Sequence, residues 1–264
     1  MYKMPSVTII IPYKNNLKYL FDALNSAFDQ TYKRFKIIIV YDDEEKSDYY
    51  KIKDFLDTKD KKKKSSVKII VNKNNLGAGY SRNVGIKSSN TKYIAFLDSD
   101  DRWAKNKLKL QIEFMEKNNI LFSHTSYDII NKNNKIISSR FAKKEIKFQD
   151  LITSCDIGLS TVILNLGLLN KNKLLFPRIK TKEDYVLWLK IIKKIKIIKG
   201  LDISLTFYRI TKGSLSSNKL LSLFNGYKVY RDYMNYGVIK SLLYLLMLSM
   251  NSLKKNINHF RINK

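Results

Sequence analysis

Four short apolar runs punctuate the first hundred residues: Val7–Ile11, Ile37–Val40, Val67–Val71 and Tyr93–Leu97. They are continuous rather than alternating and mostly β-branched, which predicts strands buried on both faces, as in a parallel sheet. Between the first two, Leu17, Leu20, Phe21, Leu24, Ala27 and Phe28 recur at helical spacing. Segments near 49–56 and 81–87 also read as helices. The order β-α-β-α-β-α-β predicts an α/β layer joined by crossovers. Further on, 108–115 reads as a helix and 121–140 as strands turning at Asn131-Lys132-Asn133-Asn134. Residues 183–195 read as a strong helix whose apolar positions include Val186, Leu187, Leu189 and Ile191. Lysine-rich 59–66 reads as a charged loop. From Leu220 onward the pattern is helical, ending in the apolar segment Val238–Met250 and a basic tail.

With 264 residues, 44% of them hydrophobic, the chain can bury the core of one large domain or two small ones. A lone cysteine, Cys155, excludes a disulfide framework. Two histidines, His124 and His259, exclude a His-rich metal site, and any Ser-His-Asp triad must use one of them. Lys+Arg number 50 against 23 Asp+Glu, a net charge of +27. Such an excess attracts polyanions: nucleic acid, an anionic membrane face or phosphorylated substrates. Only eight of the cations are arginine, and Asn and Ile are abundant, so a purely compositional origin fits the same numbers. The opening residues lack a secretory h-region, and Val238–Met250 contains Lys240 and falls short of the ~20 residues a span needs. The expectation is a cytoplasmic protein that does not cross the membrane.

In open α/β sheets, ligands lie beyond the carboxyl ends of the strands. Here the first strand runs into Pro12-Tyr13-Lys14-Asn15, the second into Tyr41-Asp42-Asp43-Glu44-Glu45, and the fourth into Asp98-Ser99-Asp100-Asp101. Two acidic clusters on one edge repel each other unless a cation joins them, which points to a hard divalent metal at Asp98 and Asp100. Asp101 reads as a helix cap. Gly77-Ala78-Gly79 suggests a dinucleotide fingerprint, but Arg82 stands where its third glycine belongs, so that reading fails. An arginine there instead points towards an acidic or nucleotide ligand. Thr181-Lys182-Glu183-Asp184-Tyr185 reads as a helix start capped by Thr181, or as a carboxylate pair holding a general base.

Taken together, Val7–Asn15, Tyr41-Asp42-Asp43, Gly77–Gly85, Phe96–Asp101, Thr181–Leu189 and Tyr208-Arg209 with Ser214-Leu215-Ser216 resemble the family 2 inverting glycosyltransferases of bacterial surface-polysaccharide synthesis. The likeness runs in order from about residue 5 to 217. It implies a GT-A fold, a Rossmann-like open mixed sheet, with a nucleotide-sugar donor (a UDP-sugar favoured) and Mn²⁺ or Mg²⁺. By position it implies that Pro12, Tyr13 and Asn15 line the nucleotide pocket, Asp42 meets the base, and Arg82 packs near it. Asp98, beside Ser99, would contact the ribose or sugar, Asp100 would ligate the metal, and Asp184 would be the catalytic base. Arg209 and Lys212 would belong to a segment folding over the diphosphate. Where many relatives read Asp-Asp-Gly-Ser, this chain has Asp42-Asp43-Glu44-Glu45, which leaves Asp42 and Asp43 both candidates for the base contact.

The organisation expected is 1–101 as a nucleotide-sugar half, 102–217 as an acceptor half, and 218–264 as a helical C-terminal extension. The extension reads as a helix packed on the domain or a partner, or as an interfacial helix suited to a saccharide acceptor carried on lipid. Two competing functions are a basic nucleic-acid-binding protein and an idle relative that only binds nucleotide sugars. Scarce arginine and acidic strand ends weigh against the first, and intact Asp98-Ser99-Asp100 and Glu183-Asp184 against the second.

Overall fold

The computed structural model describes residues 5–166, 175–210 and 219–262; Lys212 and Ser214–Ser216 lie outside them, as do Asn263 and Lys264. The chain opens with β1 (Val7–Tyr13), α1 (Leu17–Phe28), β2 (Phe35–Tyr41), α2 (Ser47–Asp57), α3 (Lys61–Ser65), β3 (Val67–Val71), α4 (Ala78–Ser88) and β4 (Tyr93–Phe96). There follow β5 (Arg102–Trp103), α5 (Lys107–Lys117), β6 (Phe122–Ile130), β7 (Ile136–Arg140), β8 (Glu145–Lys147), α6 (Phe148–Leu151) and β9 (Ile163–Asn165). α7 (Glu183–Ile195), β10 (Ile197–Arg209), α8 (Lys219–Lys228) and α9 (Val238–Ile262) complete it.

One ten-stranded sheet carries the order β3-β2-β1-β4-β9-β6-β10-β5, with β7 beside β6 and β8 beside β10. The first four strands are parallel, whereas β9 runs antiparallel to both β4 and β6. The continuous apolar runs have the expected cause. Along β1, Ile9 and Ile11 enter one core while Ile10 enters the other, because successive side chains leave a strand on opposite faces. The same holds in β4, where Ala95 and Phe96 part to opposite sides. Helix α4 approaches β1 so closely that a Cβ on Gly85 would lie 2.5 Å from Ile10 Cγ2, so only glycine fits there.

Two expectations are corrected. β3 is an edge strand and therefore only half-buried, not covered on both faces. The lysine-rich stretch is not a loop: Asp60 accepts from the Lys63 amide at 2.9 Å and caps the short helix α3. Among the described residues no helix is long and apolar enough to cross a membrane.

Candidate active site

Because β2, β1 and β4 are adjacent and parallel, their carboxyl ends bring Tyr13, Asp42-Asp43 and Asp98–Asp101 to one edge. Tyr13 is buried and its hydroxyl donates to Asp48 Oδ2 at 2.6 Å, which locks the ring at the end of β1. Burial, followed by the Asp48 bond, raises its pKa well above the usual phenol value. Pro12 is buried beside it, while exposed Asn15 and Asn16 both take left-handed backbone (φ 57° and 69°), a turn that asparagine tolerates and that starts α1.

Asp42, read from the resemblance as the base contact, is engaged inside the protein. It is 3% exposed, and its carboxylate accepts from Asn72 Nδ2 (2.7 Å), the Leu76 amide (2.9 Å) and the Gly77 amide (2.7 Å). It braces the glycine turn ahead of α4, where Gly77 adopts φ 86°. Asp43 is only partly buried; burial chiefly raises the pKa of Tyr13 and Tyr41, and the Asp43 charge adds to both, so it lies near the two rings.

Arg82, expected to reach an acidic or nucleotide ligand, meets two acids of the protein itself. Its side chain is 5% exposed and bridges two carboxylates: Nη2 donates to Asp98 Oδ1 at 2.7 Å and Nη1 to Glu183 Oε1 at 2.8 Å. Burial opposes its charge, but Asp98 and then Glu183 more than offset that, and its pKa rises. The guanidinium also sits over the Phe176 ring, 5.5 Å from its centroid. A residue on α4 thereby ties the end of β4 to the first turn of α7, 101 residues away in sequence.

The acidic turn after β4 is held from below. Asp101 is buried and accepts from Ser160 Oγ (2.6 Å) and from the Arg209 amide (2.9 Å), so it anchors the turn rather than capping a helix. The same Ser160 hydroxyl oxygen accepts from the Asp98 amide at 3.0 Å. Ser99 and Asp100 are partly buried above it. Burial, with the nearby charge of Asp98, lifts the Asp100 carboxyl to about 6. Arg209, expected near the diphosphate, is instead enclosed: its side chain is 0% exposed. Its donors go to Asp100 O (2.9 Å), Asn131 O (3.3 Å) and Asp22 Oδ2 (3.4 Å), with Tyr19 4.3 Å below. A guanidinium with these three acceptors clamps the turn after β4.

At the start of α7, Asp184 is partly buried and, among the described residues, accepts from the Tyr185 amide at 2.7 Å. Burial, then the Glu183 charge, raises it to about 6. Thr181 is not the cap: Lys182 holds that position at φ 67° with no side-chain bond, and Thr181 Oγ1 accepts from Asn225 Nδ2 at 2.9 Å. His124 is buried on β6, away from these residues, with Nε2 unpartnered, and burial lowers it to about 4. The His259 side chain lies outside the described ones.

Sequence reasoning missed Ser160, Asp22 and Asp48. Nothing in their local pattern marks them, because each acts on a partner at least 35 residues away. Glu183 was visible only as half of a pair, not as the acceptor for Arg82.

For a divalent cation the donor set fits. Asp98 gives one oxygen to Arg82, leaving Asp100 as the carboxylate that would ligate, and a cation there would offset the burial and the Asp98 charge that together raise it. No cluster of three or more protein ligands exists among the described residues, so other ligands would come from phosphate and water, the arrangement Mg²⁺ prefers.

The family model "Glycosyl transferase family 2" matches residues 8–169. Escherichia coli WfgD, a UDP-Glc:alpha-D-GlcNAc-diphosphoundecaprenol beta-1,3-glucosyltransferase, is 34% identical over 98% of both chains. A putative teichuronic acid biosynthesis glycosyltransferase, TuaG of Bacillus subtilis, is 28% identical over 96% of this chain and 98% of its own. Among solved structures, S. aureus TarS 1-349 in complex with UDP-GlcNAc superposes with TM-score 0.69 over 92% of this chain and 71% of that one, at 21% identity. Mannosyltransferase PcManGT from Pyrobaculum calidifontis, in complex with GDP-Man and Mn²⁺, gives 0.68 over 95% and 74%, at 11% identity. The open mixed sheet is thus the GT-A fold that was expected.

Proposed function

The chain belongs to glycosyl transferase family 2 and is a glycosyltransferase of the bacterial surface-polysaccharide type, and from that premise we propose its reaction. It moves a hexose from a UDP-sugar to a saccharide carried on a lipid diphosphate, with inversion at the anomeric carbon, at the cytoplasmic face of the membrane. The observation that carries this reading is the Arg82 bridge. One guanidinium holds Asp98, on the donor side, and Glu183, next to Asp184, in a single constellation at the sheet edge. The UDP donor and the lipid-linked acceptor are supported by what WfgD is named for, and a UDP donor also by the ligand in TarS.

In this mechanism Tyr13 and Pro12 wall the nucleotide pocket, with Asn15 at its rim, and Asp43 accepts from the base, taking the role first read for Asp42. Asp98 positions the ribose or sugar. Asp184 accepts the proton of the acceptor hydroxyl as its oxygen bonds to the anomeric carbon and the bond to the diphosphate breaks. At about 6 its pKa leaves it ionised at neutral pH yet more basic than an ordinary aspartate. The diphosphate departs without protonation, so no second carboxyl acid is needed, unlike in glycoside hydrolysis. Asp100 would hold Mn²⁺ or Mg²⁺, which when bound offsets the charge gathering on the leaving diphosphate. Residues 1–101 serve the donor and 102–217 the acceptor.

The test offers UDP-glucose, UDP-N-acetylglucosamine and GDP-mannose, each with a short-chain GlcNAc-diphosphoryl lipid, in Mn²⁺ and in EDTA. The expected result is one metal-dependent product, from a UDP-sugar, with inverted anomeric configuration. A retained configuration, or full turnover by Asp184→Asn, would overturn the mechanism.

A further inference from the structure

Helix α9 is apolar on two sides. Its protein-facing side carries Ser241, fully buried, with Tyr244, Leu245 and Leu248 packed on the core and Asn251, whose side chain donates to Thr153 O at 2.9 Å. Its outward side carries Ile239, Leu242, Leu243, Leu246, Met250 and Leu253, between 48% and 77% exposed. Spaced 3, 1, 3, 4 and 3 residues apart, these six form one apolar stripe about 21 Å long at the usual helical rise. Leu220 and Phe224 of α8 add further apolar surface, 81% and 56% exposed. A stripe of this size left to water is the mark of an interaction surface.

The charges around it select the partner. From Lys219 to Lys264 the sequence holds eight Lys and Arg against one acid, Asp232, and α9 has no acid at all. Exposed Lys240 and Lys254 stand near the two ends of the stripe. A second copy would bring like charges together, whereas an anionic lipid surface complements them. Beside the stripe, α6 and α9 enclose a groove of about 510 Å³ lined by Phe148, Ile152, Leu243, Tyr244 and Met247, with Lys240 also in its wall.

This surface is wired to the catalytic base. Ile152 O in the groove wall accepts from the hydroxyl of Tyr185, the residue after Asp184, at 2.8 Å. Asn225 of α8 holds Thr181, three residues before that base. We propose that the outward face of α8 and α9 is a docking surface for an anionic lipid bilayer, which seats the Asp184 side of the enzyme at the membrane. The proposal rests on the lipid-linked acceptor argued above, with α9 as the contact.

The experiment is co-sedimentation with phosphatidylcholine vesicles and with vesicles containing phosphatidylglycerol, at low and high salt. Wild type is expected to bind the anionic vesicles and to weaken with salt. The double variant Ile239→Asp/Leu246→Asp, at exposed positions, should lose at least ~10-fold in partitioning. Lys240→Glu/Lys254→Glu should also weaken it. Circular dichroism checks folding, and turnover of a short-chain acceptor in detergent-free solution should be unchanged. No binding by wild type, or equal binding by Ile239→Asp/Leu246→Asp, would overturn the proposal. So would a wild-type dimer, seen by size exclusion, that this variant breaks without any vesicle binding. Failure of transfer to the short-chain acceptor would instead sink the reaction assigned above and leave vesicle binding as a separate result.

Discussion

Replacing Asp184 by asparagine should stabilise the protein while abolishing its activity. In the folded state, burial and then the charge of Glu183 raise the Asp184 carboxyl from 3.8 to about 6. A folded-state pKa above the unfolded one favours folding only while the group is protonated, so that contribution is lost as pH rises through 6. At pH 8 the ionised form therefore costs the fold up to about 3 kcal/mol, at 1.36 kcal/mol per pKa unit. Partial exposure to water and the loss of a favourable helix-dipole contact in the first turn of α7 reduce the net gain to roughly 1–2 kcal/mol. Asparagine keeps the Oδ1 that accepts from the Tyr185 amide, so the helix start is preserved. For a chain of this size the gain amounts to a rise in Tm of about 3–6 °C. Thermal unfolding of both forms between pH 4 and 8 checks it: the gain should be full at pH 8 and shrink as pH falls from 7 towards 4. Transfer should drop at least ~10²-fold while donor affinity stays within a few-fold. A variant no more stable than wild type at pH 8, with a difference flat in pH, would refute the claim that Asp184 is held ionised against its surroundings.

The two aspartates after β2 should separate by phenotype. Asp42→Ala strands three donors and should cost about 3 kcal/mol, read by urea unfolding, whereas Asp43→Ala should leave stability unchanged and weaken UDP binding by calorimetry. Arg209→Ala should likewise lower stability by about 3 kcal/mol, since it leaves buried acceptors and Asp22 without their partner. A large loss of nucleotide affinity with normal stability would instead restore Arg209 to the ligand. Glu183→Gln removes a charge that raises Asp184, so the acidic limb of the kcat/KM profile, near pH 6 in wild type, should move to lower pH. An unmoved limb would mean another group titrates there.

What was legible in the sequence was whatever depends on local order. The apolar runs of β1, β2 and β4 announce a sheet buried on both faces, and the helical spacings of α1 and α7 survive almost to the residue. Edge status is not local, which is why β3 looks the same as its neighbours in sequence yet is half-exposed. Site roles followed the same division. Asp98, Asp100, Asp101 and Asp184 are conspicuous because acids collect at strand and helix ends. Which of them faces a ligand depends on distant donors that only the fold supplies. Asp101 has the composition of a metal ligand and the environment of an anchor, because Ser160 and the Arg209 amide reach it. Arg82, read near the base, and Arg209, read near the diphosphate, both spend their guanidinium donors on acceptors within the protein.

Those two arginines explain how an acidic edge persists in so compact a site. Asp98, Asp100 and Asp101 crowd one turn, and their mutual repulsion, added to burial, shows in the raised pKa of the latter two. Arg82 offsets it from the α4 side through an ion pair, and Arg209 from the β10 side through the backbone of the turn. The arrangement leaves the Asp100 carboxyl as the member whose charge no arginine bonds directly. An incoming cation would gain most there, because it would meet an acid already held in place, buried and beside the Asp98 charge. Arg82 passes the same constraint to Glu183, so the distance between the turn after β4 and the start of α7 is set by a rigid guanidinium rather than by a loop. A lysine at position 82 could reach only one of the two acids with comparable geometry. It should therefore lower turnover more than donor affinity, and titration of UDP beside steady-state assays of Arg82→Lys would read that split directly.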